Sequence, residues 1–363
     1  MTIVYVRESR HPQEALGARV REIGLIEGLG ANGVSVVQIA TVSTRPHWPE
    51  LFKFWRCQLP DPASMSETTE PHHPIFFVGG LPLACGIAPR LRKKFPGAYI
   101  HVDVCDSWIQ LSNITSAKSW IMSMAITVLK RCLAKFVLEY VGRSCDGVSY
   151  ISLSDYESDT KYLPARLQAD IVPNSVSSEY SGVTLIPNVD GPIRAIADWS
   201  YPPNQIMLRE TLEWHAALST NFNVELELIG PGLPVVSYGR LVTARGWVDD
   251  LSGALDGSLA VLSLVRSGAG VKNKVLVPLV MGLPVIALVE GLNGIPKCDG
   301  LVIADGLDAD EAIRRARLLA STGFDAPLLP NWSEAVRDVA EHFKRGPHEG
   351  HYHGVPSAGE CWN

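Results

Sequence analysis

The chain has 363 residues, of which 46% are hydrophobic and 19% charged, and its formal net charge is −6. At roughly 150 residues per domain this gives about two domains, each long enough to bury a core. An acidic balance excludes a nucleic-acid footprint over the whole surface, which would need surplus Lys and Arg to neutralise phosphates, so no nucleic-acid partner is expected. The seven cysteines are scattered without a Cys-x-x-Cys pair. That argues against a disulfide framework or a structural zinc site and fits a reducing, cytoplasmic compartment.

The first residues, MTIVYVRESRHP, read as a strand over 2–7 and not as a signal peptide. A helix is predicted over 15–31, with Leu16, Val20, Ile23, Ile26 and Leu29 on its apolar face, ended by Gly33 and followed by a strand over Val34–Ile39. Residues 51–74, with Pro60, Pro62, Pro71 and Pro74, read as a mobile loop. Then come a strand at Ile75–Val78, a helix over 83–95 and a strand at Tyr99–Val104. A long helix over 119–141 repeats apolar pairs every four residues, from Trp120 and Ile121 to Tyr140 and Val141. Such a stripe reads as a core face. The alternative is a basic amphipathic face resting on a membrane, because Lys130, Arg131 and Lys135 interrupt it. Those charges and Glu139 exclude a membrane span.

The second half repeats the alternation. Strands are predicted at Ile193–Ala197, Val224–Ile229, Leu259–Val265 and Pro284–Val289. Helices are predicted over 204–219, 271–282, 308–320 and 333–344, the last with Ser333 as its N-cap, and the His- and Gly-rich tail over 346–363 reads as disordered. Strand–helix alternation on both sides of a middle linker gives an α/β fold with two parallel-sheet, Rossmann-like domains. The boundaries are set at 1–185 and 186–330, with a closing helix over 331–345 returning to the first domain.

The segment SLVRSGAGVKNKVLVPLVMGLPVIALVEGLNGI, residues 263–295, is the richest in chemistry. A buried strand runs into a glycine turn, Ser267–Gly270, and then a helix that begins near Val271. Free N–H groups and the dipole of such a helix start suit a phosphate, and Lys272 adds a full charge. A second turn, Glu290–Gly294, follows the next strand. In a parallel sheet both turns lie on one edge, where ligands bind. The other reading is that these glycines only close tight turns.

This segment resembles the donor-site signature of the family-4-type GT-B glycosyltransferases. Other pieces resemble that family in its expected order. GARVREIGLIEGLGANGVSVVQIA (17–40) matches the first helix and second strand, with Gly17, Ala18 and Arg19 as the glycine turn of the N-terminal domain. HVDVCDSW (101–108), CDGVSYIS (145–152), IVPNSV (171–176), AIADWSYPPN (195–204), LELIGPG (226–232), RGWVDDLSGAL (245–255) and NWSEAVRDV (331–339) follow. The resemblance implies a cleft between an acceptor-side N-terminal domain and a nucleotide-sugar-binding C-terminal domain. It implies transfer to an acceptor hydroxyl with retention of configuration, without a metal or a resident cofactor, the nucleotide sugar being a substrate. The implied donor residues are Arg266, Gly268, Ala269, Gly270, Val271, Lys272, Asn273, Glu290, Gly291, Asn293 and Gly294, with Trp247 beside the base or else packed under its turn. Asp106 is implied as the acceptor-side catalytic carboxylate, its alternative being a helix cap together with Ser107, while Asp103 is expected to be held in the sheet edge. The acceptor is a saccharide, a lipid-linked saccharide or a small metabolite, and a peripheral membrane contact is compatible with the lipid-linked case.

Three positions depart from the family pattern. The usual ribose-binding Glu is Val277, followed by Pro278. The turn that usually carries Arg and Lys for the diphosphate holds Tyr201, Pro202, Pro203 and Asn204. The frequent His beside the strand-end Asp is Cys105. These departures keep two other readings open, a catalytically lapsed partner protein and a nucleotide-sugar epimerase on the same fold. The pairs Asp103/Asp106 and Asp249/Asp250 read as strand-end and cap residues rather than metal ligands, and His348, His351 and His353 as part of the tail.

Overall fold

The computed structural model describes residues 1–8, 16–41, 74–113, 120–177, 179–180, 182–219, 222–239, 241–266 and 271–345. The expected mobile loop at 51–74, the glycine turn 267–270 and the tail therefore lie wholly or almost wholly outside the described residues. The chain divides into two compact units, residues 1–175 with 330–362, and residues 176–329.

In the first unit six parallel strands run in the order β2-β1-β3-β4-β5-β6. They are β1 (Thr2–Glu8), β2 (Ser35–Thr41), β3 (Ile75–Gly79), β4 (Tyr99–Cys105), β5 (Gly147–Tyr150) and β6 (Gln168–Ile171). Helices α1 (Leu16–Ala31), α2 (Leu81–Lys94), α3 (Trp108–Ser112), α4 (Trp120–Gly142) and α5 (Leu153–Asp159) connect them. Strands covered on both faces read as continuous apolar runs, which is why Ile75–Val78 is legible as a strand without alternation. Strand β4 is the exception. Ile100, Val102 and Val104 join the core under α2 and α4, while the intervening positions are Tyr99, His101 and Asp103.

That second face meets α1 and the C-terminal helices α10 (Trp332–Ala335) and α11 (Arg337–Arg345), whose Trp332, Val336, Val339 and Phe343 share a core with Ile3, Leu25 and Leu29. The contact depends on two missing side chains. A Cβ at Gly24 would stand 2.0 Å from the Trp332 ring, and one at Gly28 would stand 2.3 Å from the Trp332 carbonyl oxygen. The inward face of α1 is thus Arg21, Gly24, Leu25, Gly28 and Leu29, and Ile23, expected inside, is 43% exposed. Helix α10 is capped by Asn331 and not by Ser333. Asn331 and Glu334 form a reciprocal capping box, satisfying two backbone donors at once. His342 of α11 pairs with Asp170 of β6 at 3.1 Å.

The long helix α4 is only half a core element. Ala134, Val137, Leu138 and Val141 are buried against the sheet, but Met122, Met124, Val128, Leu129 and Phe136 are exposed. The expected stripe of buried pairs therefore holds for its last turns alone. No helix among the described residues is long and apolar enough to cross a membrane.

In the second unit six parallel strands run in the order β12-β11-β10-β7-β8-β9. They are β7 (Ile193–Ile196), β8 (Leu226–Ile229), β9 (Val242–Gly246), β10 (Ala260–Ser263), β11 (Val285–Ala287) and β12 (Leu301–Ile303). Helices α6 (Pro202–Ala216), α7 (Leu251–Leu255), α8 (Asn273–Val280) and α9 (Ala309–Thr322) connect them. Winding runs outward from β7 through β8 to β9, then restarts at β10 on the other side of β7. The reversal falls between β7 and β10, and a doubly wound sheet opens a crevice at the carboxyl ends of two such strands.

Candidate functional site

Two connections leave the sheet at that reversal. The one after β7 passes Asp198 and enters α6, whose first positions are Pro202 and Pro203, where a missing N–H costs nothing. The one after β10 carries Arg266 and enters α8. Helix α8 begins two residues later than expected: Lys272 is its N-cap, with φ −88° and ψ 99°, and Asn273 is its first residue. Val271 is buried before it, while Lys272 and Asn273 are half-buried. Gly268, Ala269 and Gly270 lie outside the described residues.

Two side-chain contacts bridge the reversal. Lys274 donates to Asn204 Oδ1 at 2.6 Å, and Asn204 Nδ2 donates in turn to the Asp198 carbonyl at 2.7 Å. Arg266 donates to Glu210 of α6 at 2.7 Å. Burial, reinforced by the neighbouring charge of Lys272, pulls the Lys274 ammonium down to about 8, against a smaller opposing pull from Asp198. Lys274 was not among the residues singled out in the sequence. The signal for it was the Lys-x-Lys pair at the helix start, of which the sequence reading used only Lys272.

The second glycine-containing turn stands beside the first. A Cβ placed on Gly291 would meet Val265 at ordinary contact distance, so the turn after β11 lies against the segment leaving β10. Glu290 is exposed, Gly291 is buried in a 3₁₀ turn (Val289–Leu292), and Asn293 and Gly294 are half-buried, with Gly294 at φ 69°. Trp247 follows β9, two strands from β7 and so roughly 10 Å from the reversal. It is 39% exposed and its indole N–H donates to Asp249 at 2.9 Å, so the ring is not packed away beneath its turn. Gly230, at the end of β8, lies so close to the β7 connection that a Cβ would stand 1.9 Å from the Ala197 carbonyl oxygen.

In the first unit Asp103 is held as expected. Arg21 grips it through two bonds of 2.8 and 2.7 Å, Ser149 donates to it at 2.8 Å, and Arg21 also reaches the Val172 carbonyl at 2.8 Å. Burial alone would raise the Asp103 carboxyl, but the charge and bonds of Arg21 outweigh it and hold the group below the usual carboxylate range. Cys105 takes φ 66°, where the pairing with β5 shifts register, and Asp106 follows it half-buried. The cap of α3 is Ser107, which accepts from Gln110 N at 3.0 Å, while Asp159 accepts from Ser107 Oγ, Trp108 N and Ile109 N. The N-cap of α3 is thus Ser107, with Asp159 behind it. Gly17, Ala18 and Arg19 are also placed otherwise than expected: they fall inside the first turn of α1 and form no turn of their own.

No protein-family model matches this sequence, and no curated protein matches it either. Solved structures do match the chain as a whole. A sucrose-phosphate synthase from Thermosynechococcus elongatus superposes with a TM-score of 0.61 at 15% identity, covering 94% of this chain and 98% of that one. Anabaena HepE, solved in complex with UDP, gives a TM-score of 0.56 at 12% identity, covering 95% and 100%. The lipopolysaccharide outer core galactosyltransferase WaaB gives 0.52 at 14% identity, covering 88% and 90%. The chain has the GT-B fold, an α/β architecture of two Rossmann-like domains. At these identities the likeness extends to the fold and no further.

Proposed function

We propose that this protein is a glycosyltransferase that takes a sugar from a nucleoside-diphosphate donor bound at the β7/β10 reversal and passes it to an acceptor hydroxyl. The observation that carries this reading is the convergence there of two lysines, a helix N-terminus and the turn after β11. Lys272, Lys274 and the N–H groups at the start of α8 hold the diphosphate. Arg266 neutralises charge at the rim, and Glu290, Gly291, Asn293 and Gly294 face the sugar. Trp247 lies against the base. The fixed cations and the helix dipole take the place of a metal ion in stabilising the leaving diphosphate. Transfer proceeds with retention, the departing diphosphate oxygen taking the acceptor proton on the same face of the sugar. Asp106 orients the acceptor.

Calorimetric titration with nucleoside diphosphates tests the site directly. A charge-assisted contact contributes roughly 1.5–3 kcal/mol, so Lys272→Ala is expected to weaken binding at least about tenfold with an unchanged melting temperature. Unchanged affinity removes Lys272 from the site. Release of free nucleotide from a panel of nucleotide sugars, unaffected by EDTA, tests the chemistry. Val277, buried in α8 where a ribose-binding carboxylate is usual, favours a second reading as a non-catalytic partner protein. Nucleotide-sugar binding with neither transfer nor hydrolysis would select that second reading.

A further inference from the structure

Helix α4 carries large apolar side chains that the described residues leave exposed. Met122, Met124, Val128, Leu129 and Phe136 are between 57% and 70% exposed. At 100° per residue they share an arc of roughly 160° on the helix. Five large apolar side chains on one face of one helix make a contiguous patch, unlike scattered exposed residues, which need no explanation. The patch is bordered by cations. Arg131 sits at one edge of the arc and Lys135 within it, between Met124 and Val128; Lys135 lies 4.9 Å from the Tyr162 ring, with Lys161 at 5.3 Å from the same ring. Arg166 stands beside them, anchored on the carbonyl oxygens of Gly142, Arg143 and Cys145. Lys135, Lys161 and Arg166, with Phe136, Glu139 and Arg143, line an open groove of about 780 Å³ at the end of the patch. The only acid in the helix, Glu139, is ion-paired with Arg143.

We propose that this face of α4 docks the protein on an anionic lipid bilayer, with the apolar arc sunk to the level of the acyl boundary and the cations among the headgroups. An interfacial helix needs a broad apolar face, a cationic border and too many charges to span, and α4 has all three. The charge pattern selects this occupant over a second copy of the chain. A symmetric contact through the same face would bring together the surplus of cations on both copies, whereas anionic headgroups neutralise it. The proposal does not depend on the donor site and does not require the chain to be a transferase.

Co-sedimentation of the full chain with vesicles tests it. The wild type is expected to bind phosphatidylcholine vesicles that contain phosphatidylglycerol, to bind pure phosphatidylcholine far less, and to release as salt is raised. Arg131→Gln with Lys135→Gln is expected to weaken anionic-vesicle binding by roughly thirtyfold, at about one kcal/mol per surface cation. Leu129→Ser with Phe136→Ser is expected to weaken it at least as much. Because Leu129, Arg131 and Phe136 are exposed and none of the four side chains belongs to the core, melting temperatures in both double variants should stay near wild type, which separates lost docking from lost folding. Equal binding to both vesicle types overturns the proposal, as does unchanged binding in the two double variants. A lipid-free dimer in sedimentation velocity that Leu129→Ser with Phe136→Ser dissociates would assign the face to a second copy instead.

Discussion

Replacing Lys274 with Met is expected to strengthen the fold and weaken the site. The ammonium is pulled from 10.5 to about 8 by burial and by Lys272, so its charged form is worse off in the folded chain than in the unfolded one. A shift of that size corresponds to about 3 kcal/mol at neutral pH. Met fills nearly the same volume, next to Met207, and removes the penalty. The loss of the bond to Asn204 Oδ1 takes back about 1 kcal/mol. Lys274→Met should therefore be more stable by about 2 kcal/mol in urea at pH 7. The pH dependence has a defined sign. Between about pH 8 and 10.5 the unfolded chain holds the proton that the folded chain has lost, so wild-type stability rises with pH across that window, and the variant lacks the rise. A bound diphosphate reverses the bias by favouring the charged amine. Wild-type affinity for a nucleoside diphosphate should fall as pH rises through about 8, with calorimetry recording proton uptake, and the variant should bind weakly at every pH. A variant that is less stable at pH 7 and binds as tightly as wild type would refute both the buried-cation argument and the placement of Lys274 at the diphosphate.

Four further outcomes are expected. Neutral His101 is enclosed by the rings of Phe77, Tyr99 and Phe343, and burial lowers it to about 4, so the unfolded chain gains a proton first and stability falls as pH drops from about 6.5 toward 4. The loss at pH 5 relative to pH 7 is about 2 kcal/mol from this group, and His101→Phe should flatten urea midpoints over that range. Arg21→Met leaves Asp103 buried and unpaired and should cost about 3–5 kcal/mol by chemical denaturation, much of it recovered on adding Asp103→Leu. Asp106→Asn should lower kcat strongly with donor affinity preserved, and near-normal turnover removes the catalytic assignment. Nucleoside-diphosphate quenching of Trp fluorescence should be largely lost in Trp247→Phe; quenching that persists undiminished places the base elsewhere.

Periodicity read the fold well where one kind of side chain marked the inward face. Strands β3 and β10 are short apolar runs between loop signals, and nothing competes with that pattern. It misread α1 because that helix turns glycines and an arginine inward. Gly24 and Gly28 are there to admit Trp332, from a helix some 300 residues further along the chain, and Arg21 to reach Asp103. Contacts of that separation leave no local trace in the sequence. The start of α10 was misplaced for a different reason: Ser333 is a good capping residue, but the Asn331–Glu334 box two residues earlier satisfies two donors where a Ser cap satisfies one. In α4 the apolar repeat was legible along its whole length, yet whether anything lies above a given turn is a matter of tertiary placement, and half of the stripe faces outward.

The candidate donor site was legible as a segment but not as a set of partners. Residues 263–295 already contain a strand, a turn, a helix start and a second turn, and the parallel sheet brings the two turns to one edge without further information. What the segment does not contain is the far wall. Asn204 and Glu210 come from α6, more than fifty residues upstream, and they distinguish the cations of the segment by pairing with Lys274 and Arg266. Arg266 is half-exposed and shares its charge with Glu210 and solvent, which makes it the weaker of the two cations at the rim. Lys274 has one neutral partner and a like-charged neighbour, an arrangement that costs stability and is relieved by an anion. That penalty, set between two helix starts at a sheet reversal, is the feature on which the proposed diphosphate site rests. The turn of Tyr201, Pro202 and Pro203 lacks basic residues, and in the proposed site the cations come from the start of α8 across the crevice instead.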